Sequence, residues 1–178
     1  MPLDLIDDAV RRGRKRRLFE PQPSHTVDLG RAEIERLLPH REPFLFVDRI
    51  TAVDLETGLI AGQRHLDPKD PLFAGHFPGD PIYPGVLQLE TMGQLGLCLL
   101  GLQRNGRAAV RPDDQPRAAR ALKVHHAAFF TPLRPADEVV ILAQALDVDA
   151  YTGICAGQLL KEEEICSFAI VEVYLVED

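Results

Sequence analysis

PGVLQLETMGQLGLCLLGLQRNG, residues 84–106, reads as a single helix that is apolar on nearly every face from Val86 to about Gln103. Pro84 stands where helices accept proline, and Asn105-Gly106 supplies the stop. A helix that is apolar all round must be covered all round, so it belongs inside a fold. The cover follows in the chain. Ala121 to Phe130, Glu138 to Asp147, Tyr151 to Leu160 and Ile165 to Val176 read as four strands, separated by Pro135-Ala136-Asp137, Asp147-Val148-Asp149 and Glu162-Glu163-Glu164. Upstream, Arg31 to Leu38 reads as a short helix stopped by Pro39. Leu45 to Val53 and Gly58 to Leu66 read as strands joined by Glu56-Thr57-Gly58. Residues 105–117 read as a polar loop. One buried helix among antiparallel strands is an α+β domain whose sheet wraps the helix.

The chain of 178 residues suits one domain, expected over residues 29–178. Residues 1–28 read as an appendage, a partly ordered, solvated arm, with docking to an acidic partner as the alternative. Leu3, Ile6, Ala9 and Val10 have helical spacing, but the basic run Arg11 to Arg17 and then Glu20-Pro21-Gln22-Pro23-Ser24 end any helix. The net charge is −7, yet residues 1–20 carry +2, which leaves −9 on the remainder. That balance argues against a general nucleic-acid or anionic-membrane binder. Cys98, Cys155 and Cys166 show no paired or metal-type spacing, as suits reduced thiols in the cytoplasm. The acidic N-terminus is no secretory signal, and the longest strongly apolar run, Leu95 to Leu102, is too short to cross a bilayer.

The chemistry concentrates just before and inside the helix. FAGHFPGDPIYPG, residues 73–85, is crowded with Gly and Pro and carries one histidine, His76. Pro78, Pro81 and Pro84 stiffen this loop and so fix the imidazole. Glu90 follows among Val86, Leu87, Leu89, Gly93 and Leu97. Burying an unpaired carboxylate is expensive, and keeping it protonated relieves the cost, which would leave an acid able to protonate a departing hydroxyl. The alternative is a carboxylate paired with a base or reaching solvent, and helix context favours neither. Gln94, one turn on, can orient the carboxyl. The Gly85 amide, in the first helical turn, lacks an intrahelical partner and lets a ligand carbonyl approach, although a simple turn glycine would look the same. Base, acid and amide are the parts needed for proton abstraction α to a thioester carbonyl followed by loss of a β-hydroxyl.

LPHREPFLFVDR (residues 38–49), GHFPG (75–79) and PGVLQLE (84–90) together resemble the (3R)-hydroxyacyl-[acyl-carrier-protein] dehydratases. The resemblance covers about residues 33–176. The fourteen-residue step from His76 to Glu90 matches that family's spacing. Glu90 suits its dehydratase-only branch, whereas Gly79-Asp80-Pro81 and Gln94-Leu95 look like the dehydratase/isomerase branch. The resemblance implies a hot-dog fold and a homodimer or larger assembly, with His76 of one subunit facing Glu90 of another. It assigns His76 to remove the Cα proton, Glu90 to protonate the hydroxyl and the Gly85 amide to bind the thioester oxygen. Phe77, Tyr83, Val86 and Gln94 join Gly85 as substrate-binding positions, though Tyr83 could equally well pack. The acyl chain would run beside the helix, with room at Gly93 and Gly96. No metal or cofactor is implied beyond the phosphopantetheine arm of a carrier protein or coenzyme A.

His40 and Arg41 belong to the motif but are expected to shape a loop and interface. Residues around Phe129-Phe130-Thr131-Pro132 lack the family's basic side chains for carrier docking, which the Arg11 to Arg17 arm, with Arg117, Arg120 and Lys123, could replace. These departures suggest a specialised lipid, polyketide or polyene pathway. A hot-dog thioesterase and a non-catalytic, acyl-binding subunit are the competing readings.

Overall fold

The computed structural model describes residues 2–176. In chain order its elements are α1 (Pro2–Gly13), β1 (Thr26–Leu29), α2 (Arg31–Leu37), β2 (Arg49–Asp54), β3 (Leu59–His65), α3 (Leu72–Gly75), α4 (Gly85–Asn105), β4 (Ala119–Phe129), β5 (Glu138–Val148), β6 (Thr152–Lys161) and β7 (Glu164–Leu175). The strands form one seven-stranded antiparallel sheet in the order β1-β2-β3-β5-β6-β7-β4. Helix α4 packs against it, burying Met92, Leu95, Cys98, Leu99 and Leu102. Each such side chain contributes roughly 1.5–3 kcal/mol. This is the expected α+β hot-dog arrangement.

Strand β6 shows why the layers form. Its odd positions meet α4, and at three of them only a small residue fits. A methyl group on Gly157 would stand 2.6 Å from Met92 Cβ, and one on Gly153 would stand 2.7 Å from Leu100 Cδ1. Between them, Cys155 Cβ lies 3.2 Å from where a side chain on Gly96 would begin. Even positions Ile154, Ala156, Gln158 and Leu160 face the other way and are buried there too. Burial on both faces explains a strand that reads as nearly continuous apolar sequence rather than alternating.

The layer on that outer face is the N-terminal arm, which corrects the expectation of a solvated segment. Ile6 and Ala9 of α1 pack on Ile154, Ala156, Phe168 and Ile170, and Phe19 packs on Ala52, Ala61, Leu142 and Leu160. Gln158, fully buried, fastens the chain after α1: its Nε2 donates to Gly13 O (2.6 Å) and Arg16 O (2.8 Å), and its Oε1 accepts from Leu18 N–H (2.8 Å). A side chain on Gly13 would begin 2.2 Å from the Phe168 ring. The apolar spacing of Ile6, Ala9 and Val10 was the signal; helix α1 ends at Gly13, before most of the basic run.

Other differences are local. The helix read from Val86 starts at Gly85 and ends at Asn105. At 21 residues it is long and apolar enough to cross a membrane by composition, but more than half of its most apolar 18-residue stretch is buried within the protein. The strand read from Leu45 begins only at Arg49. The division placed at residue 28 falls within β1, a short strand that the sequence reading passed over, as it did the four-residue α3.

Replacing Gln158 with Leu orphans two carbonyls and one amide at a buried seam, so it should cost about 2–4 kcal/mol. Hydrogen exchange should accelerate over residues 4–19. Unchanged exchange there would mean that apolar contacts alone hold the arm.

Candidate active site

His76 follows α3 directly and is partly buried. Its backbone amide caps the helix on Leu72 O (3.1 Å) and its carbonyl accepts from Ile82 N–H (2.9 Å), closing the Gly/Pro loop on itself. The side-chain Nδ1 lies 3.1 Å from Ile82 O. A carbonyl only accepts, so Nδ1 carries the proton and the Nε2 lone pair is free to act as a base. The His76 ring stacks on Phe77 at 4.0 Å, and Phe77 itself is half exposed. Two contacts from the β4–β5 connection anchor the loop: Arg134 Nη1 donates to Asp80 Oδ1 (2.6 Å), and Tyr83 N–H donates to Leu133 O (2.7 Å).

Glu90 lies one and a half turns into α4. Its Oε1 accepts from Gln94 Nε2 at 2.9 Å, the i+4 hydrogen bond expected from sequence, and His40 Nε2 stands 3.3 Å from the same oxygen. Oε2 makes no hydrogen bond among the described residues. The carboxylate is one-third exposed and clamped by polar groups, not enclosed by its apolar helix neighbours. Gln94 does more than orient it. At 1% exposure its Oε1 accepts from Phe46 N–H (2.7 Å) while Nε2 also donates to Phe44 O (3.0 Å). That single amide therefore stitches residues 44–46 to the helix and holds the carboxylate.

His40 was expected to shape a loop and interface; its ring meets Glu90 and lies 6.4 Å from the Phe44 ring. Fifty residues separate the two in sequence, so no spacing rule could have paired them. Arg41 does serve the loop, donating to the Leu38, His40 and Glu35 carbonyls.

The remaining candidates divide by position. Gly85 opens α4, and the Phe129 ring lies 3.0–3.3 Å from where a side chain on it would begin. Val86 is exposed. Tyr83 is a core residue: its ring packs near Phe73, its hydroxyl lies 3.0 Å from Thr91 Oγ1, and burial pushes the phenol above its ordinary pKa. Gly93 has open space beside it, whereas Gly96 faces Cys155 and leaves no channel. Cys98 is buried and its thiol is pushed upward by burial, as fits a core residue. Near the far end of α4 a cavity of about 380 Å³ opens between Leu97, Leu100, Gly101, Arg104, Arg117 and Leu175. Among the described residues no hydrogen bond or ion pair joins His76 to Glu90, and no cluster of His, Cys, Asp or Glu is placed to hold a metal.

The FabA-like domain family matches residues 38–167. The chain is 37% identical over 150 residues to the 3-hydroxyacyl-[acyl-carrier-protein] dehydratase FabZ of Chlamydia trachomatis serovar L2, covering 81% of this chain and 94% of that protein. It is 35% identical over 142 residues to the FabZ of Xanthomonas euvesicatoria pv. vesicatoria, covering 79% and 88%. Among solved structures, the dehydratase heterocomplex ApeI:P from Xenorhabdus doucetiae superposes with a TM-score of 0.63 at 15% identity, over 82% of this chain and 92% of that one. A thioesterase-like protein of Ralstonia eutropha JMP134 gives 0.52 at 14% identity, over 70% and 82%. At such identities these two likenesses speak to fold alone.

Gln94→Leu should cost about 2–4 kcal/mol, because Phe46 N–H and Phe44 O lose their buried partner. Urea denaturation would measure it. A loss below about 1 kcal/mol would show that water or a shifted loop replaces the amide.

Proposed function

The chain belongs to the FabZ-type 3-hydroxyacyl-[acyl-carrier-protein] dehydratases, within the FabA-like domain family, and from that premise we propose that it dehydrates (3R)-3-hydroxyacyl thioesters to trans-2-enoyl thioesters in fatty-acid biosynthesis. One observation carries the assignment of residues. His76 and Glu90 each have one atom tied by hydrogen bonds and one left free, the arrangement a positioned base and a positioned acid require.

The thioester oxygen takes the Gly85 N–H, where the helix dipole adds positive potential to a developing enolate. His76 Nε2 removes the Cα proton. The electron pair moves to form the Cα–Cβ double bond, and the Cβ–O bond breaks as Glu90 delivers its proton to the hydroxyl, releasing water. Both groups then return to their starting states, the proton on His76 passing out through solvent and Glu90 taking one back. His40 and Gln94 hold the carboxyl so that Oε2 faces the leaving hydroxyl. Protein groups suffice for each of these steps, and the substrate brings its own phosphopantetheine arm.

The acyl chain runs along the helix face marked by Glu90, Gly93, Leu97 and Gly101, which recur every three or four residues and lead to the 380 Å³ cavity. Val86 and Phe77, both exposed, line the approach. The active form is a homodimer in the cytoplasm. Strand β4 supports this reading, being a sheet edge eleven residues long that exposes Leu122, Val124 and Phe129. In that dimer His76 of one subunit works with Glu90 of the other.

His76→Ala and Glu90→Gln should each reduce turnover by at least about a thousandfold while circular dichroism stays native. Mixing the two inactive variants after joint refolding should restore about a quarter of wild-type activity, since each mixed dimer then holds one intact site. Failure to restore any would place both residues of a site in one chain.

A further inference from the structure

We propose that the basic end of the N-terminal arm, formed by Arg11, Arg14, Lys15 and Arg16, is the surface on which an acidic carrier protein docks. This rests on the dehydratase reading above.

The patch is rigidly placed. Gln158 grips the backbone at Gly13, Arg16 and Leu18, so the four cations sit on a segment fixed to the sheet and not on a free tail. All four are exposed, and among the described residues none forms an ion pair. Their neighbours differ: Arg12 pairs with Asp8 (2.9 Å), and Arg17 pairs with Glu163 (2.8 Å) and Glu20 (3.8 Å). The unpaired cations are thus a local excess on a chain whose remainder beyond residue 20 carries −9.

The patch reaches the strand end that flanks the site, from the face of the sheet opposite α4. The Arg14 guanidinium lies 5.5 Å from the centroid of the Phe130 ring, and the adjacent Phe129 ring packs against Gly85 at the start of α4. A partner seated on the arm would send its tethered thioester past the end of β4 to reach that amide. The β4 end itself offers no cation at Phe129 to Pro132, so the arm supplies what that end lacks. It lies outside the stretch that the domain family matches, residues 38–167.

Charge decides the kind of partner. An extended polyanion such as nucleic acid or an anionic bilayer would meet the acidic remainder of the surface along with the patch. A compact acidic protein touches the patch alone, and complementary charge of this sort chiefly speeds encounter and falls with salt.

The test uses the full chain and the triple variant Arg11→Gln/Lys15→Gln/Arg16→Gln, which keeps the backbone contacts to Gln158 and the Arg14–Phe130 stack. Two readouts are taken: fluorescence anisotropy of a labelled phosphopantetheinyl acyl carrier protein, and the ratio of kcat/KM for a 3-hydroxyacyl group on that carrier to kcat/KM for the same group on pantetheine. We expect the variant to bind the carrier about tenfold more weakly at low salt, and the ratio to fall with it. The wild-type ratio should decline as sodium chloride is added. Unchanged carrier binding in the variant, no carrier binding by wild type, or tighter wild-type binding to a single-stranded oligonucleotide or to phosphatidylglycerol vesicles would overturn the proposal. Carrier binding that depends on the patch, with no turnover of either substrate, would uphold the docking surface and overturn the dehydratase reading instead.

Discussion

Helix α4 lies against β6 at a separation that not even a methyl group at Gly153 or Gly157 would permit, and the bare Gly96 of the helix faces Cys155 in the same way. Each missing Cβ brings helix and strand closer, and close packing of two rigid elements leaves little freedom to slide or rotate. The rotation of α4 is what decides which of its residues point away from the sheet. With Met92, Leu95, Leu99 and Leu102 committed to the core, Glu90 and Gly93 are left on the open side. The placement of the carboxylate is therefore a consequence of packing several residues away from it.

The same economy of cause holds at Gln94. A buried amide is costly unless all its groups are satisfied, and here the two backbone partners at Phe44 and Phe46 and the Glu90 carboxyl satisfy it together. Residues 45–48 belong to no strand, and Gln94 supplies Phe46 N–H with the acceptor a neighbouring strand would have given. Because His40 lies on the same loop, the amide that fixes the loop also brings the imidazole to Glu90. Structural and chemical roles are not separable in this residue.

What could be read from sequence followed from periodicity and punctuation. Helix α4 and strands β4 to β7 announced themselves through long apolar patterns between clear stops, and the His76 and Glu90 motifs were recognisable by residue type and spacing. Short elements escaped because four residues carry too little pattern: β1 and α3 are defined by partners elsewhere, β1 by β2 and α3 by the loop closing on Ile82. The setting of Glu90 stayed open between two readings for a different reason. Helix neighbours describe one wall only, whereas His40 approaches from a loop fifty residues upstream. The docked arm was misjudged because Gln158, its main fastener, looks in sequence like a solvated residue in an apolar strand. Only burial on both faces of β6 reveals why a glutamine belongs there.

That double burial also sorts the surfaces of the sheet. The arm covers the outer face over β6 and β7, packing apolar side chains that would otherwise form an exposed patch. It stops short of β4, which keeps Leu122, Val124 and Phe129 in the open at the sheet edge. An edge strand of that length and apolarity normally invites pairing with another chain. With the broad face covered, β4 is the longer of the two strand edges and the apolar one left open. For a site shared between subunits, as proposed above, that open edge has a chemical use, since the arm lies between α4's sheet and anything stacked on the outer face.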